Sequence, residues 1–97
     1  MNIKQSISND ELRVKIFKAL ADENRLRIVR LLRDNHNQMD YSKLADALEV
    51  GKSTVSYHFK IMREAGLITI TRHGQLKTIT LNEMVFNGVL PGFLKSL

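Results

Sequence analysis

Residues 44–67 read LADALEVGKSTVSYHFKIMREAGL, and the spacing of their apolar positions decides the fold. Tyr41, Leu44, Ala45 and Leu48 recur at i, i+3, i+4 and i+7, the stripe of a helix buried on one side. Asp40 stands where its carboxylate can cap that helix. Glu49-Val50-Gly51 reads as a turn, and Ser53 as the cap of a second helix. In that helix Val55, Phe59 and Met62 face inward, while Ser53, Ser56, Tyr57, Lys60 and Glu64 face outward. A close helix crossing needs a small residue in the first helix, here Ala45, and an apolar lock ten positions on, here Val55. Glu49 occupies a position where glycine is common, and a left-handed Glu there costs about 1 kcal/mol. Gly66 follows the last turn of the second helix and can end it in the left-handed region. The segment at about 40–65 is therefore expected to be a helix-turn-helix, with an outer face made of hydrogen-bonding and basic groups.

Downstream, the period changes from helical to alternating. Ile68 and Ile70 alternate with Thr69 and Thr71, and 76–81 alternates in the same way, so 67–81 predicts a β-hairpin. His73-Gly74-Gln75 forms its exposed basic tip. Asn82 is placed to cap a last helix, which Pro91-Gly92 breaks before a short apolar tail. Upstream, residues 1–7 read as a loose arm, and Ser8 or Asn9 as the cap of a first helix with Asp10 and Glu11 in its first turn. Leu12, Ile16, Ala19 and Leu20 make its stripe, widened by Val14 and Phe17. Asp22 caps a helix over about 23–34, with Ala21, Ile28, Leu31 and Leu32 on its core side, and 36–39 reads as a loop. Arg27, Arg30 and Arg33 share one face of that helix, either as phosphate contacts or as a solvated surface. The predicted order is α-α-α-α-β-β-α: a mainly α chain with a β-hairpin wing, a winged helix-turn-helix spanning 1–97 as one domain.

Composition narrows the function. Fifteen Lys and Arg against ten Asp and Glu give a net charge of +5, and the pI is about 9.8, the footprint of a polyanion binder. With no cysteine, neither a disulfide framework nor a thiolate metal site is available. The three histidines, His36, His58 and His73, are dispersed and form no ligand pair at helical spacing. Gly51-Lys52-Ser53 mimics the end of a phosphate-binding loop, but Asp46 stands where that motif needs glycine. No nucleophile, base and orienting group fall into a legible set, so an enzyme is not expected, and neither a cofactor nor a metal site is. The first twenty residues are too charged for a signal peptide, and no apolar run reaches membrane-spanning length, so a cytoplasmic protein without a membrane partner is expected.

These readings point to double-stranded DNA as the partner. Lys43, Lys52, Lys60, Arg63, Arg72 and Lys77 are candidate phosphate contacts, and Ser53, Ser56 and Tyr57 candidate base readers. Surplus apolar surface at both ends, Val14 and Phe17 in the first helix and Val85, Phe86, Val89, Phe93 and Leu94 near the other terminus, is read as the interface of a homodimer. The alternative is a winged helix serving as a protein-interaction module in a larger complex.

Residues 17–32, FKALADENRLRIVRLL, then LADALEVGKSTVSYHFKIMREAGLI at 44–68, then a hairpin ending in TLN, resemble the ArsR/SmtB family of transcriptional repressors. The resemblance covers roughly residues 12–82. It implies a homodimer joined through the first and last helices, an inverted-repeat operator, and repression relieved by an inducer, for which an unknown small molecule is a candidate. By position it also implies recognition through Ser53, Thr54, Ser56, Tyr57, His58 and Lys60, with Arg72 to Lys77, including His73, as the wing. Metal-sensing members carry a Cys-x-Cys pair where this chain has Met39-Asp40-Tyr41-Ser42, or histidine ligands on the last helix, where it has Glu83 and no histidine. The LPGFLKSL ending is similar to the tails of metal-independent members.

Overall fold

The computed structural model describes the backbone of residues 3–97 and the side chains from Asn9 onward. Met1 and Asn2, part of the arm expected at 1–7, lie outside the described residues. Six helices and three strands follow in the order α1 (Ile3–Leu20), α2 (Glu23–Asp34), β1 (Gln38–Asp40), α3 (Tyr41–Leu48), α4 (Lys52–Glu64), β2 (Ile68–His73), β3 (Leu76–Leu81), α5 (Glu83–Val89) and α6 (Phe93–Ser96). This is the winged helix-turn-helix expected from the sequence, with two additions, β1 and α6.

Five helix starts show how local chemistry sets the boundaries. Asp22 Oδ1 accepts from the Arg25 backbone N–H at 3.1 Å, and Asp40 Oδ1 from that of Lys43 at 3.1 Å, so both predicted aspartate caps are in place. The serine and asparagine caps are not. Helix α1 already runs from Ile3, which puts Ser8 and Asn9 inside it rather than at its start. Helix α4 starts at Lys52 with Gly51 as its N-cap, so Ser53 lies one residue inside the helix. Asn82 stands at the N-cap of α5, but its side chain turns the other way. Its Nδ2 donates to the Gly66 carbonyl at 3.0 Å, and its backbone N–H to Leu67 at 2.9 Å, which ties the exit of the wing to the end of α4.

The expected loop at 36–39 is half strand. Gln38, Met39 and Asp40 pair antiparallel with Thr80, Ile79 and Thr78, giving a sheet of order β1-β3-β2. Left-handed backbone at His36 (φ 60°) and Asn37 (φ 70°) turns the chain into this strand. The Leu81 N–H then donates to the Asn37 carbonyl at 2.7 Å. In the hairpin His73 pairs with Leu76, so the connection is the two residues Gly74 and Gln75, with Gly74 (φ 63°) at the position where primed hairpin turns favour glycine.

One core joins all the elements. Ile16, Ala19 and Leu20 of α1, Ile28, Val29 and Leu32 of α2, Leu44 and Leu48 of α3, and Val55, Phe59 and Met62 of α4 close on Ile68, Ile79 and Leu81 of the sheet. Leu12 and Ala21, expected on the core side, are exposed instead. Leu12 sits a turn before Ile16, where α1 has run past the elements it packs against. Phe86 belongs to this core with 1% exposure. The sequence places it at a subunit interface, but it stacks on Phe93 within the chain (centroids 6.1 Å apart, planes 7° from parallel). The tail is held down too, because Arg33 Nη1 donates to the Leu94 carbonyl at 2.6 Å.

The α3–α4 turn carries the strain anticipated at Glu49, whose φ of 55° and ψ of 36° are left-handed. Glu49→Gly should therefore stabilise the protein by about 1 kcal/mol, raising Tm by roughly 4–8 °C for a domain of this size. Glu49→Ala, which keeps the Cβ clash, should give no such gain in the same thermal melt. Equal melting of the glycine variant and the parent would show that the turn stores no strain.

Candidate nucleic-acid interface

The outer face of α4 is polar along its whole length. Lys52, Ser53, Thr54, Ser56, Tyr57, Lys60, Arg63 and Glu64 are exposed, while Val55, Phe59 and Met62 are buried beneath them. Among the described residues no side-chain hydrogen bond engages Ser53, Thr54, Ser56 or Tyr57. The ion pairs among the described residues, Arg13–Asp10 and Arg33–Asp34, lie elsewhere, so Lys43, Lys52, Lys60, Arg63, Arg72 and Lys77 have no carboxylate partner. The first turn of α4 combines Lys52 with backbone N–H groups that no side chain caps. A cation at the positive end of a helix is unfavourable unless an anion joins it, and such an end binds phosphate readily.

The wing has the same character. Arg72 and Lys77 stand directly opposite each other on β2 and β3. Cross-strand partners project to the same side of a sheet, and like charges so placed repel. Lys77 is half-buried, and its Nζ lies 4.9 Å from the centre of the Tyr41 ring, which meets Phe59 edge-on at 4.9 Å. That cation–π contact holds the lysine between wing and α3. Arg72 and His73 stay exposed near the hairpin tip.

His58 departs from the position-based expectation. It is only 5% exposed, and its Nδ1 lies 3.1 Å from Arg25 Nη1. A guanidinium only donates, so Nδ1 is the acceptor of this bond. A side chain so enclosed does not reach a duplex laid along the outer face of α4. Its partner was not singled out in the sequence at all. Arg25 is 9% exposed and also donates through Nε to the Ala19 carbonyl (2.6 Å) and through Nη2 to the Lys18 carbonyl (3.4 Å). It thereby closes the last turn of α1, where a helix presents unpaired carbonyls and favours a cation. Arg27 and Arg30 of the same helix are exposed, and Arg33 serves the tail.

Among the described residues no group of three His, Asp or Glu side chains could hold a metal ion. The outer face of α4 is polar, and the wing adds a basic cross-strand pair.

His58→Leu should cost about 1–3 kcal/mol of stability, because it leaves a buried Arg25 N–H without an acceptor. It should not alter the slope of log affinity against log salt for duplex DNA. Lys60→Ala should do the reverse, leaving stability unchanged and flattening the slope by about one. A flattened slope for the folded His58 variant would put that ring on the phosphates.

Comparison with known proteins agrees with this geometry. Residues 22–69 match the family described as bacterial regulatory protein, arsR family. The chain is 41% identical over all of its length to an HTH-type transcriptional regulator of Bacillus subtilis, YceK, of which it spans 95%. It is 39% identical over 74 residues to the arsenical resistance operon repressor of the same organism, covering 76% of this chain and 70% of that one. The solved structure of HlyU from Vibrio cholerae superposes with a TM-score of 0.71 at 29% identity, over 91% of this chain and 89% of that one. The chain therefore belongs to the ArsR/SmtB family and is a winged helix-turn-helix, DNA-binding transcriptional regulator, not an enzyme.

Proposed function

We propose that the protein is a homodimeric repressor that binds an inverted-repeat operator without a metal ion. The observation that carries the DNA geometry is the pairing of Arg72 with Lys77, together with an α4 face whose Ser53, Thr54, Ser56 and Tyr57 side chains make no hydrogen bond among the described residues. Both are unfavourable in isolation and become favourable against a phosphate backbone. In this reading α4 lies in the major groove. Ser53, Thr54, Ser56 and Tyr57 face base edges, and Lys43, Lys52, Lys60 and Arg63 meet the flanking phosphates. The wing, through Arg72, His73 and Lys77, follows the adjacent backbone. The likeness to an arsenical resistance operon repressor supports repression as the sign of the response. The lack of cysteine and of a carboxylate-histidine cluster among the described residues supports metal independence. A cytoplasmic site of action accords with a DNA partner, and no helix among the described residues is long and apolar enough to cross a membrane.

Dimerisation rests on apolar surface that the chain leaves uncovered. Val14 (49% exposed) and Phe17 (50%) lie on the side of α1 away from the core, and Met84 of α5 is also exposed. Val85, Val89, Phe93 and Leu94 are partly buried against the core and keep an outer edge for a partner. Two copies of α4 on half-sites about one helical turn apart give an affinity and discrimination that one short helix does not.

Ser56→Ala with Tyr57→Ala should weaken operator binding by roughly 1–3 kcal/mol per lost base contact while leaving weak nonspecific binding and the melting curve intact. Wild-type operator affinity in that double variant would assign base reading to another element.

Val14→Glu with Phe17→Glu, both on the exposed side of α1, should give a folded monomer by sedimentation that has lost operator binding, although no DNA-facing residue changes. A wild-type protein that sediments as a stable monomer and still binds its operator tightly would refute the dimer.

A further inference from the structure

We infer that the groove between α1 and α4 is a binding site for a small organic anion, and that its occupancy draws Tyr57 away from DNA. The second half of this inference rests on the operator-reading role proposed for Tyr57.

The groove has a volume of about 340 Å³, towards the small end of ligand sites. Its walls carry three cations, Lys15 and Lys18 from α1 and Arg25 from α2, against one carboxylate, Glu64. Neither lysine forms an ion pair with Glu64 among the described residues. The remaining lining is Ile61, Ala65 and the Tyr57 side chain, an apolar strip suited to a carbon skeleton rather than to a bare inorganic ion.

Arg25 gives the site its specificity. Three of its five N–H groups are used inside the protein, on Ala19, Lys18 and His58. One remains on each terminal nitrogen, available to donate to a carboxylate. A guanidinium this buried ordinarily has a counter-ion, and among the described residues it has none. A carboxylate in the groove supplies that charge, with Lys15 and Lys18 closing over its other side. Tyr57 belongs to the groove and to the exposed face of α4 at once, so a ligand that packs on its ring competes with base contact.

Benzoate is a suitable probe, with benzamide as its neutral isostere and inorganic phosphate as the bare anion, all at constant ionic strength. Titrated into the free protein, benzoate should shift the amide resonances of Lys15, Lys18, Tyr57 and Ile61 saturably, with a Kd on the order of 1 mM or tighter. Benzamide and phosphate should bind at least roughly tenfold more weakly, since one lacks the charge and the other the apolar body. Because Arg25 variants are liable to unfold, the variant to test is Lys15→Gln with Lys18→Gln. It should lose benzoate binding and keep its DNA affinity. Saturating benzoate should lower the affinity of the wild-type protein for a duplex selected from a random pool by about tenfold, and that of the double variant not at all. Equal shifts with all three probes, or none at these residues, would overturn the site whatever the DNA result. Selective binding with unchanged DNA affinity would overturn the link to Tyr57. A wild-type protein that selects no duplex would overturn the operator reading and leave the binding titration to decide the site alone.

Discussion

The arrangement of this molecule depends on one buried cation. Arg25 joins three helices: it belongs to α2, closes the carbonyl end of α1 through Lys18 and Ala19, and donates to His58 of α4. Burying a guanidinium is costly, and here the cost is offset by hydrogen bonds to helix-end carbonyls, where the backbone dipoles favour positive charge. The bond to His58 also sets the direction of the contact, since a guanidinium only donates and the ring nitrogen 3.1 Å away must accept. The rotation of α4 about its axis is therefore pinned by a polar contact from below as well as by Val55, Phe59 and Met62. Tyr57, the residue before it, is turned out to solvent by the same constraint.

What the sequence disclosed follows from which signals are local. The stripes of α3 and α4, the aspartate caps at Asp22 and Asp40, and the alternation of the wing each depend on neighbours within a turn or two, and all are present. β1 was hidden because three residues, one an aspartate, become a strand only through pairing with Thr78, Ile79 and Thr80 far along the chain. Arg25 was hidden among Arg27, Arg30 and Arg33. Nothing in α2 alone marks one of four arginines as buried, and the selection comes from where α1 ends. Phe86 was assigned to the wrong boundary, because apolar surplus in a sequence does not say whether its own chain or a second copy will cover it. Of the candidate interface, the outward set on α4 was legible from the helical wheel. His58 stays open in the sequence, because its place at the edge of the inner face is compatible with packing or with a phosphate contact.

Apart from the left-handed turn at His36 and Asn37, several local tensions lie near the face read as the DNA contact. Glu49 holds a left-handed backbone that glycine would adopt at less cost. Lys52 stands at the positive end of α4 with no capping side chain, and Arg72 faces Lys77 across the hairpin. Each opposes the stability of the free protein by a modest amount, and an anion would relieve the latter two, of which only Lys77 has a compensating contact among the described residues, with the Tyr41 ring. Elsewhere the pattern is the opposite. Arg33 and Asn82, polar residues that could have faced solvent, are used to fasten the tail and the wing. Local conflict with folding physics thus separates the face that meets a partner from the surface that does not.

Helix α1 has two faces with different work. Ile16 and Ala19 pack on the core, and the carbonyls of Lys18 and Ala19 receive Arg25, while Val14 and Phe17 point away. In the proposed dimer that outer face meets a second copy, so the distance between the two α4 helices is set through α1 on each side. The carbonyls at the end of α1 are held by the guanidinium that also holds His58, which links the position of α1 to that of α4. A rigid link of this kind suits a regulator that must place two short helices one turn of duplex apart, since small changes in spacing then become large changes in affinity.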